Sequence, residues 1–346
     1  MHCNLLLVAL LAGGLTLAAP AHVFGQDGDP ALPRLRVEGN RFVDESGETV
    51  VLRGVSFSDP DRLEKAGHWN TAYFEAAKSW NMNVARFPVH PRAWRERGEE
   101  AYLDLLDQGV RWAAELGMYV IIDWHSIGNL QTELFQHPMY NTTRTETFRF
   151  WKAISERYAH NPVVAFFELF NEPTDYNGTL GKISWDEHKR LMEGLIHVVY
   201  AHDDTKIPLV AGFNWAYDLT DAGRAPIDYP GVAYVTHPYP QKRPQPWEEK
   251  WEADWGFLAD RYPVFATELG FMSEDGPGAH VPVIGDETYG DALVSYFERK
   301  GISWTAWVFD PMWSPQLIEG WDFEPTRQGR FFRDAFMRLN PKPEGR

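Results

Sequence analysis

The chain has 346 residues, 44% hydrophobic and 24% charged, a globular balance that excludes an intrinsically disordered chain. Its formal net charge of −16 excludes nucleic acid as the partner, because a phosphate-binding face needs an excess of Lys and Arg. The single cysteine, Cys3, excludes an intrachain disulfide, while 15 Trp, 21 Phe and 14 Tyr must be divided between core and surface.

Taken in chain order, the first feature is an apolar run from Leu5 to Ala19, followed by the small-x-small triplet Ala19-Pro20-Ala21. The run is shorter than the ~20 residues of a membrane span and reads as a signal peptide over 1–21, although its leading residues hold His2 and no Lys or Arg. That predicts a secreted protein, extracellular or periplasmic, with no stable membrane association. A short N-terminal segment, 22–34, precedes one folded domain, 35–346. Residues 35–43 alternate apolar and polar, Asp44-Glu45-Ser46-Gly47 turns, and Thr49-Val50-Val51-Leu52 resumes, which predicts a short N-terminal β-hairpin leading into a buried strand.

From there short β-rich runs alternate with amphipathic stretches. Strands are predicted over 50–57, 83–90, 119–125, 163–171, 208–214, 232–239, 264–271 and 303–310. Helices are predicted near 69–80, 99–116, 145–158, 185–202, 246–261 and 289–300, with a weak one over 217–229 and a last one near 330–339. Strand–helix alternation predicts a parallel sheet covered by helices, and eight such units closing on themselves make a (β/α)8 TIM barrel. A doubly wound open sheet would carry a Gly-rich nucleotide turn after its first strand, where Arg53-Gly54-Val55-Ser56 stands instead.

Functional residues of such a barrel sit at the C-terminal ends of the strands, and those ends are polar here. They read Arg86-Phe87-Pro88-Val89-His90, Asp123-Trp124-His125-Ser126, Asn171-Glu172-Pro173, Asn214-Trp215, His237-Pro238-Tyr239, Thr267-Glu268 and Trp304-Thr305-Ala306-Trp307. Glu172 and Glu268, on strands four and seven, can both face the mouth once the barrel closes. Two carboxyls there can flank a glycosidic bond, one working as acid/base and the other as nucleophile. Glu168, inside strand four, reads as a structural carboxylate.

These motifs, Phe170-Asn171-Glu172-Pro173 above all, resemble glycoside hydrolase family 5, the (β/α)8 clan of cellulases and mannanases, over about residues 35–339. The resemblance implies a retaining double displacement with Glu172 as acid/base and Glu268 as nucleophile. It implies that Asn171 bonds the sugar 2-hydroxyl, that Arg86 stands near the nucleophile, and that His125 closes strand three. It further implies that His237 and Tyr239 form the strand-six pair, with Tyr239 contacting the nucleophile, and that Trp307 floors the cleavage subsite. No cofactor is implied.

His90, His125 and His237 could also compose a metal site, but barrels of that kind carry His-x-His on strand one, where Val55-Ser56-Phe57-Ser58 stands, so no metal is expected. His90, Trp124, Trp215 and Trp313 are candidate substrate contacts. The rim tryptophans, Trp94 and Trp321 included, suit sugar stacking as readily as packing, whereas Trp80, Trp112 and Trp151 fall on helical patterns and read as core. The loop Gln241-Lys242-Arg243-Pro244 reads as solvated, bordering the mouth at most. The expected function is a secreted endo-β-1,4-glucanase acting on a β-linked polysaccharide or oligosaccharide. The same residues would serve an endo-β-mannanase, a xyloglucanase or a β-glucosidase, and a non-catalytic carbohydrate-binding barrel is opposed by the intact pair of glutamates.

Overall fold

A computed structural model describes residues 32–341. The segment read as a signal peptide lies outside the described residues. Eight parallel strands close into a barrel: β1 (Arg53–Ser56), β2 (Val84–Val89), β3 (Tyr119–Trp124), β4 (Val164–Glu168), β5 (Ile207–Ala211), β6 (Ala233–Val235), β7 (Val264–Ala266) and β8 (Ser303–Ala306). Each strand pairs with its neighbours in sequence, and β8 closes on β1. All eight predicted strands are present, shorter than predicted because single backbone bonds carry the chain beyond each ladder. Examples are His125 N–H to Val89 O at 2.9 Å and Trp307 N–H to Leu269 O at 2.8 Å.

The period-two alternation of a strand explains both core layers. On β2, Val84 faces the barrel interior while Ala85, Phe87 and Val89 face the helices. The interior layer holds Val84, Tyr119, Ile121, Phe166, Leu209, Val235 and Phe265. The same alternation brings Arg86, Asp123 and Glu168 inward at the top of β2, β3 and β4, where all three are buried. The N-terminal hairpin, Arg36–Glu38 paired with Arg41–Val43, closes the other end: the Phe42 ring meets Phe166 at 5.1 Å and Phe265 at 6.1 Å. The predicted turn at Asp44–Gly47 is present, with Gly47 N–H bonding Asp44 O at 3.1 Å and Val43 bridging Thr49, and the hairpin itself turns at Gly39-Asn40. Gly39 takes a φ of +61° there, which a glycine adopts without strain.

The helices follow the predicted pattern with local corrections. Thr143 caps the helix Arg144–Arg157 by accepting from the Glu146 N–H, and Thr326 caps Arg327–Leu339, which therefore begins three residues before its predicted start. The stretch predicted as one helix over 246–261 is two, Glu248–Asp254 and a 3-10 turn Gly256–Asp260. At Gly256 a Cβ would lie 1.9 Å from the Tyr296 hydroxyl, so the chain can pass there only without a side chain. The short helices beyond the predicted set include Pro60–Lys65 and Pro91–Arg97; each opens with proline and is too brief to show a 3.6-residue period. Among the described residues no helix is long and apolar enough to cross a membrane.

Candidate active site

Beyond β4 the chain stays extended. Asn171 N–H bonds Trp124 O at 3.2 Å and Glu172 N–H bonds Ser126 O at 3.1 Å, so a small sheet of Glu172–Pro173, Ile127–Asn129 and Leu134–Phe135 stands on the barrel rim. This extension, rather than β4 itself, carries Asn171 and Glu172 to the mouth.

Arg86 is the centre of the site. Its guanidinium donates twice to Glu168 (2.7 and 3.0 Å), to Asn171 Oδ1 (2.6 Å) and to Glu268 Oε1 (2.9 Å). Asp123 Oδ2 lies 2.9 Å from the same guanidinium and 2.6 Å from His125 Nδ1. A buried guanidinium spread over three carboxyls is held permanently charged. Glu168 is the firm anion among the three: burial opposes its charge, yet Arg86 and His237 bring its pKa down to about 2. The sequence reading of Glu168 as a structural carboxylate fits this pairing.

The second carboxyl of the site, Glu268, accepts from Arg86 on one oxygen and from the Tyr239 hydroxyl, 3.0 Å away, on the other. Burial raises its pKa above the ordinary 4.5, with His237 and Arg86 pulling the other way and Glu172 and Glu168 adding to the rise. His237 Nδ1 lies 2.9 Å from Glu172 Oε1, and Nε2 lies 2.9 Å from Thr267 Oγ1, whose hydroxyl donates to Glu168 at 2.9 Å. Burial disfavours a charged imidazole, but Glu268, Glu168 and Glu172 outweigh it and raise His237 to about 9. One oxygen each of Glu172 and Glu268 and a His237 nitrogen lie within 4.8 Å of one another. A charged His237 donates from both nitrogens, so any cation at this trio would have to displace its proton from the contact with Glu172.

The His125 ring lies parallel to Trp307, 5.4 Å between centroids and 3° between planes. Burial first, with the positive charge of Arg86 and His237 adding to it, holds His125 well below its usual pKa, hence neutral. Thus Arg86, His125, Asn171, Glu172, His237, Tyr239, Glu268 and Trp307, from six strands, form one connected cluster. His90 and Trp313 adjoin it, 5.5 Å apart. Trp215 stands on the Glu172 side: its indole N–H donates to Gln136 at 2.8 Å and Lys242 sits over its ring at 4.8 Å. Lys242 is thereby drawn to the mouth; burial lowers its pKa to about 8 against the pull of Glu172.

Trp124 corrects the sequence reading. It follows the inward Asp123, so its ring faces outward, fully buried against Phe150 at 4.1 Å, and reaches no substrate. Trp94 likewise packs on Phe150, and Trp321 stacks on His68. Thr267 and Asp123 stand at strand ends in the sequence, and their couplings to His237 and Arg86 are side-chain contacts across the barrel that no local spacing encodes.

The family model of cellulase, glycosyl hydrolase family 5, matches residues 43–312. The chain belongs to glycoside hydrolase family 5. It is 27% identical over 257 residues to endoglucanase A of Butyrivibrio fibrisolvens, covering 71% of this chain and 54% of that one. It is 26% identical over 229 residues to endoglucanase A of Evansella cellulosilytica, covering 66% and 42%. The chain spans about half the length of these curated relatives. A crystal structure of a β-glucanase from Saccharophagus degradans in complex with cellotetraose superposes with a TM-score of 0.88 at 48% identity, covering 90% of this chain and 95% of that one.

Proposed function

We propose that this chain is a secreted, retaining endo-β-1,4-glucanase that cleaves internal bonds of β-glucan. The observation that carries the reading is the spacing of the two glutamates. Carboxyl groups ~5–5.5 Å apart leave no room for a water between them and the sugar, which selects double displacement over inversion; oxygens of Glu172 and Glu268 come within 4.8 Å. The 48% identical β-glucanase holding cellotetraose favours a β-glucan chain over a mannan.

In this mechanism Glu268 attacks the anomeric carbon while Glu172 gives its proton to the leaving glycosidic oxygen. Water then hydrolyses the glycosyl-enzyme as Glu172 takes a proton back. Arg86 and Tyr239 keep both oxygens of the nucleophile hydrogen-bonded and aimed. The Asn171 amide oxygen is occupied by Arg86, which leaves its buried and unpartnered Nδ2 to donate to the sugar 2-hydroxyl as the ring flattens. Trp307 offers a flat face to the pyranose ring, and His237 orients Glu172.

The test is a polysaccharide panel with product sizing. Carboxymethylcellulose and mixed-linkage β-glucan should release reducing ends with a rapid fall in viscosity. Release from mannan instead, or only glucose from chain ends, would overturn the substrate or the endo action. A second expectation concerns pH. The acidic limb of kcat/KM reports the free nucleophile, which must be ionised. Because Glu268 is raised by burial, the limb should have its midpoint above pH 4.5, with activity lost as pH falls through it.

A further inference from the structure

Beyond β5 the chain makes a turn that its residues do not favour. Asn214, Trp215 and Ala216 each take a φ of +56°, three left-handed residues in succession with no glycine among them. A Cβ crowds the carbonyl in that region; Asn tolerates it, whereas Trp and Ala adopt it only when their surroundings hold them there. Phe213 N–H bonds Asp218 O at 3.0 Å and Asp218 N–H bonds Phe213 O at 2.9 Å, which pins the base of the turn. His237 N–H bonds Ala216 O at 3.0 Å, so the turn leans on the residue that orients Glu172. At its far end Asn214 O accepts from the Tyr217 N–H at 3.4 Å and from the Lys242 ammonium at 2.8 Å.

Lys242 and Arg243 are neighbours in a polar loop after β6, and the two cations part. Arg243 turns to Asp254, at 2.7 and 2.9 Å, while Lys242 turns to the mouth. There its ammonium sits 4.8 Å over the Trp215 ring and 5.9 Å from the Tyr217 ring. One cation thus holds the turn twice, by the backbone at Asn214 and by the indole at Trp215. The indole N–H donates in turn to Gln136 Oε1 at 2.8 Å. Gln136 N–H bonds Ile127 O at 3.1 Å, and Ile127 pairs with Glu172 in the small rim sheet. A chain of contacts therefore runs from Lys242 through Trp215 and Gln136 to the strand that carries Glu172.

We propose that Lys242 is a positioning residue for the leaving-group side of the cleft. Its ammonium clamps the left-handed turn Asn214–Ala216 and so fixes where Trp215 stands along the path of the sugar unit that departs beside Glu172. Without the clamp the turn relaxes toward ordinary backbone angles and the indole loses its fixed place. An incoming chain then has to order the turn itself, and that ordering is subtracted from its binding. The proposal rests on Glu172 being the acid that serves the leaving group.

The experiment compares cellopentaose, whose cleavage expels a sugar, with 2,4-dinitrophenyl β-cellobioside, whose cleavage expels a phenolate. The readout is the ratio of their kcat/KM values. Lys242→Met keeps an apolar stem over the ring and removes the ammonium, so the ratio should fall about tenfold, through a higher KM on cellopentaose more than a lower kcat. Lys242→Arg supplies a cation that can reach both the ring and the carbonyl and should keep most of the ratio. An unchanged ratio in Lys242→Met, an equal loss on both substrates, or as large a fall in Lys242→Arg would overturn the clamp. A wild-type protein that cleaves neither substrate would instead overturn the glucanase reading on which the clamp rests.

Discussion

Glu268→Gln is expected to lower turnover on β-glucan by at least ~10⁴-fold, the scale seen when a covalent nucleophile is removed. The fold should survive. Glu268 is a carboxyl whose charge burial disfavours, so a neutral side chain of the same shape escapes that burden while the Arg86 donor keeps an oxygen to bond. Azide supplied to Glu268→Ala and Glu172→Ala separates the two carboxyls. In Glu268→Ala azide attacks in place of the missing nucleophile and gives an α-glycosyl azide. In Glu172→Ala it attacks the glycosyl-enzyme and gives the β-anomer. The Glu172 variant should also lose far less activity on dinitrophenyl glycosides, whose leaving group needs no proton. Near-normal turnover in Glu268→Gln, or the opposite pair of anomers, would overturn the assignment.

The sequence carried the barrel because each strand had to be apolar on both faces and each crossover amphipathic on one. Those two periods leave a legible trace, and all eight strands fall where it puts them. The ends of elements were less legible. Glu172 was read as the end of β4, yet the ladder of β4 stops at Glu168 and a separate strand on the rim holds Glu172. The pairing with Ile127–Asn129 that creates this strand is non-local, so no pattern near Glu172 announces it.

Tryptophan shows the same division. On helices, Trp80 and Trp151 are core as their spacing predicts. At strand ends spacing is silent, because one residue of register decides whether a side chain faces the mouth or the helix layer. Trp307 lies in the cluster and Trp124 is buried behind it, though both sit within one residue of a strand end. The aromatic excess therefore splits by register rather than by position along the chain. The roles of Asp123 and Thr267 were equally out of reach, since each acts through a partner on another strand.

The arginine at the centre links stability to chemistry, and its replacement should show both. Arg86→Ala would leave Glu168, Asp123 and Glu268 buried around no cation. Removing one partner of a buried charge set costs about 3–5 kcal/mol, a large part of a domain's whole stability. Arg86→Lys keeps the charge but offers a point cation in place of a planar fork, and three donors cannot reproduce the bonds to Glu168, Asn171 and Glu268 together. This variant should fold with a lower urea midpoint and lose at least ~100-fold in kcat/KM. Its pH profile carries the sign. Arg86 lowers the Glu268 pKa, so weakening that contact lets burial raise it further, and the acidic limb should move to higher pH. Glu168, held near 2, contributes stability that is complete above its unfolded pKa of about 4.5 and disappears as pH falls through 2. Arg86→Lys should therefore flatten the acid side of the stability curve while steepening the demand on pH for activity. If the urea midpoint falls but the acidic limb stays in place, Arg86 is a structural ion pair with no hold on the nucleophile, and the coupling through Glu268 Oε1 is wrong.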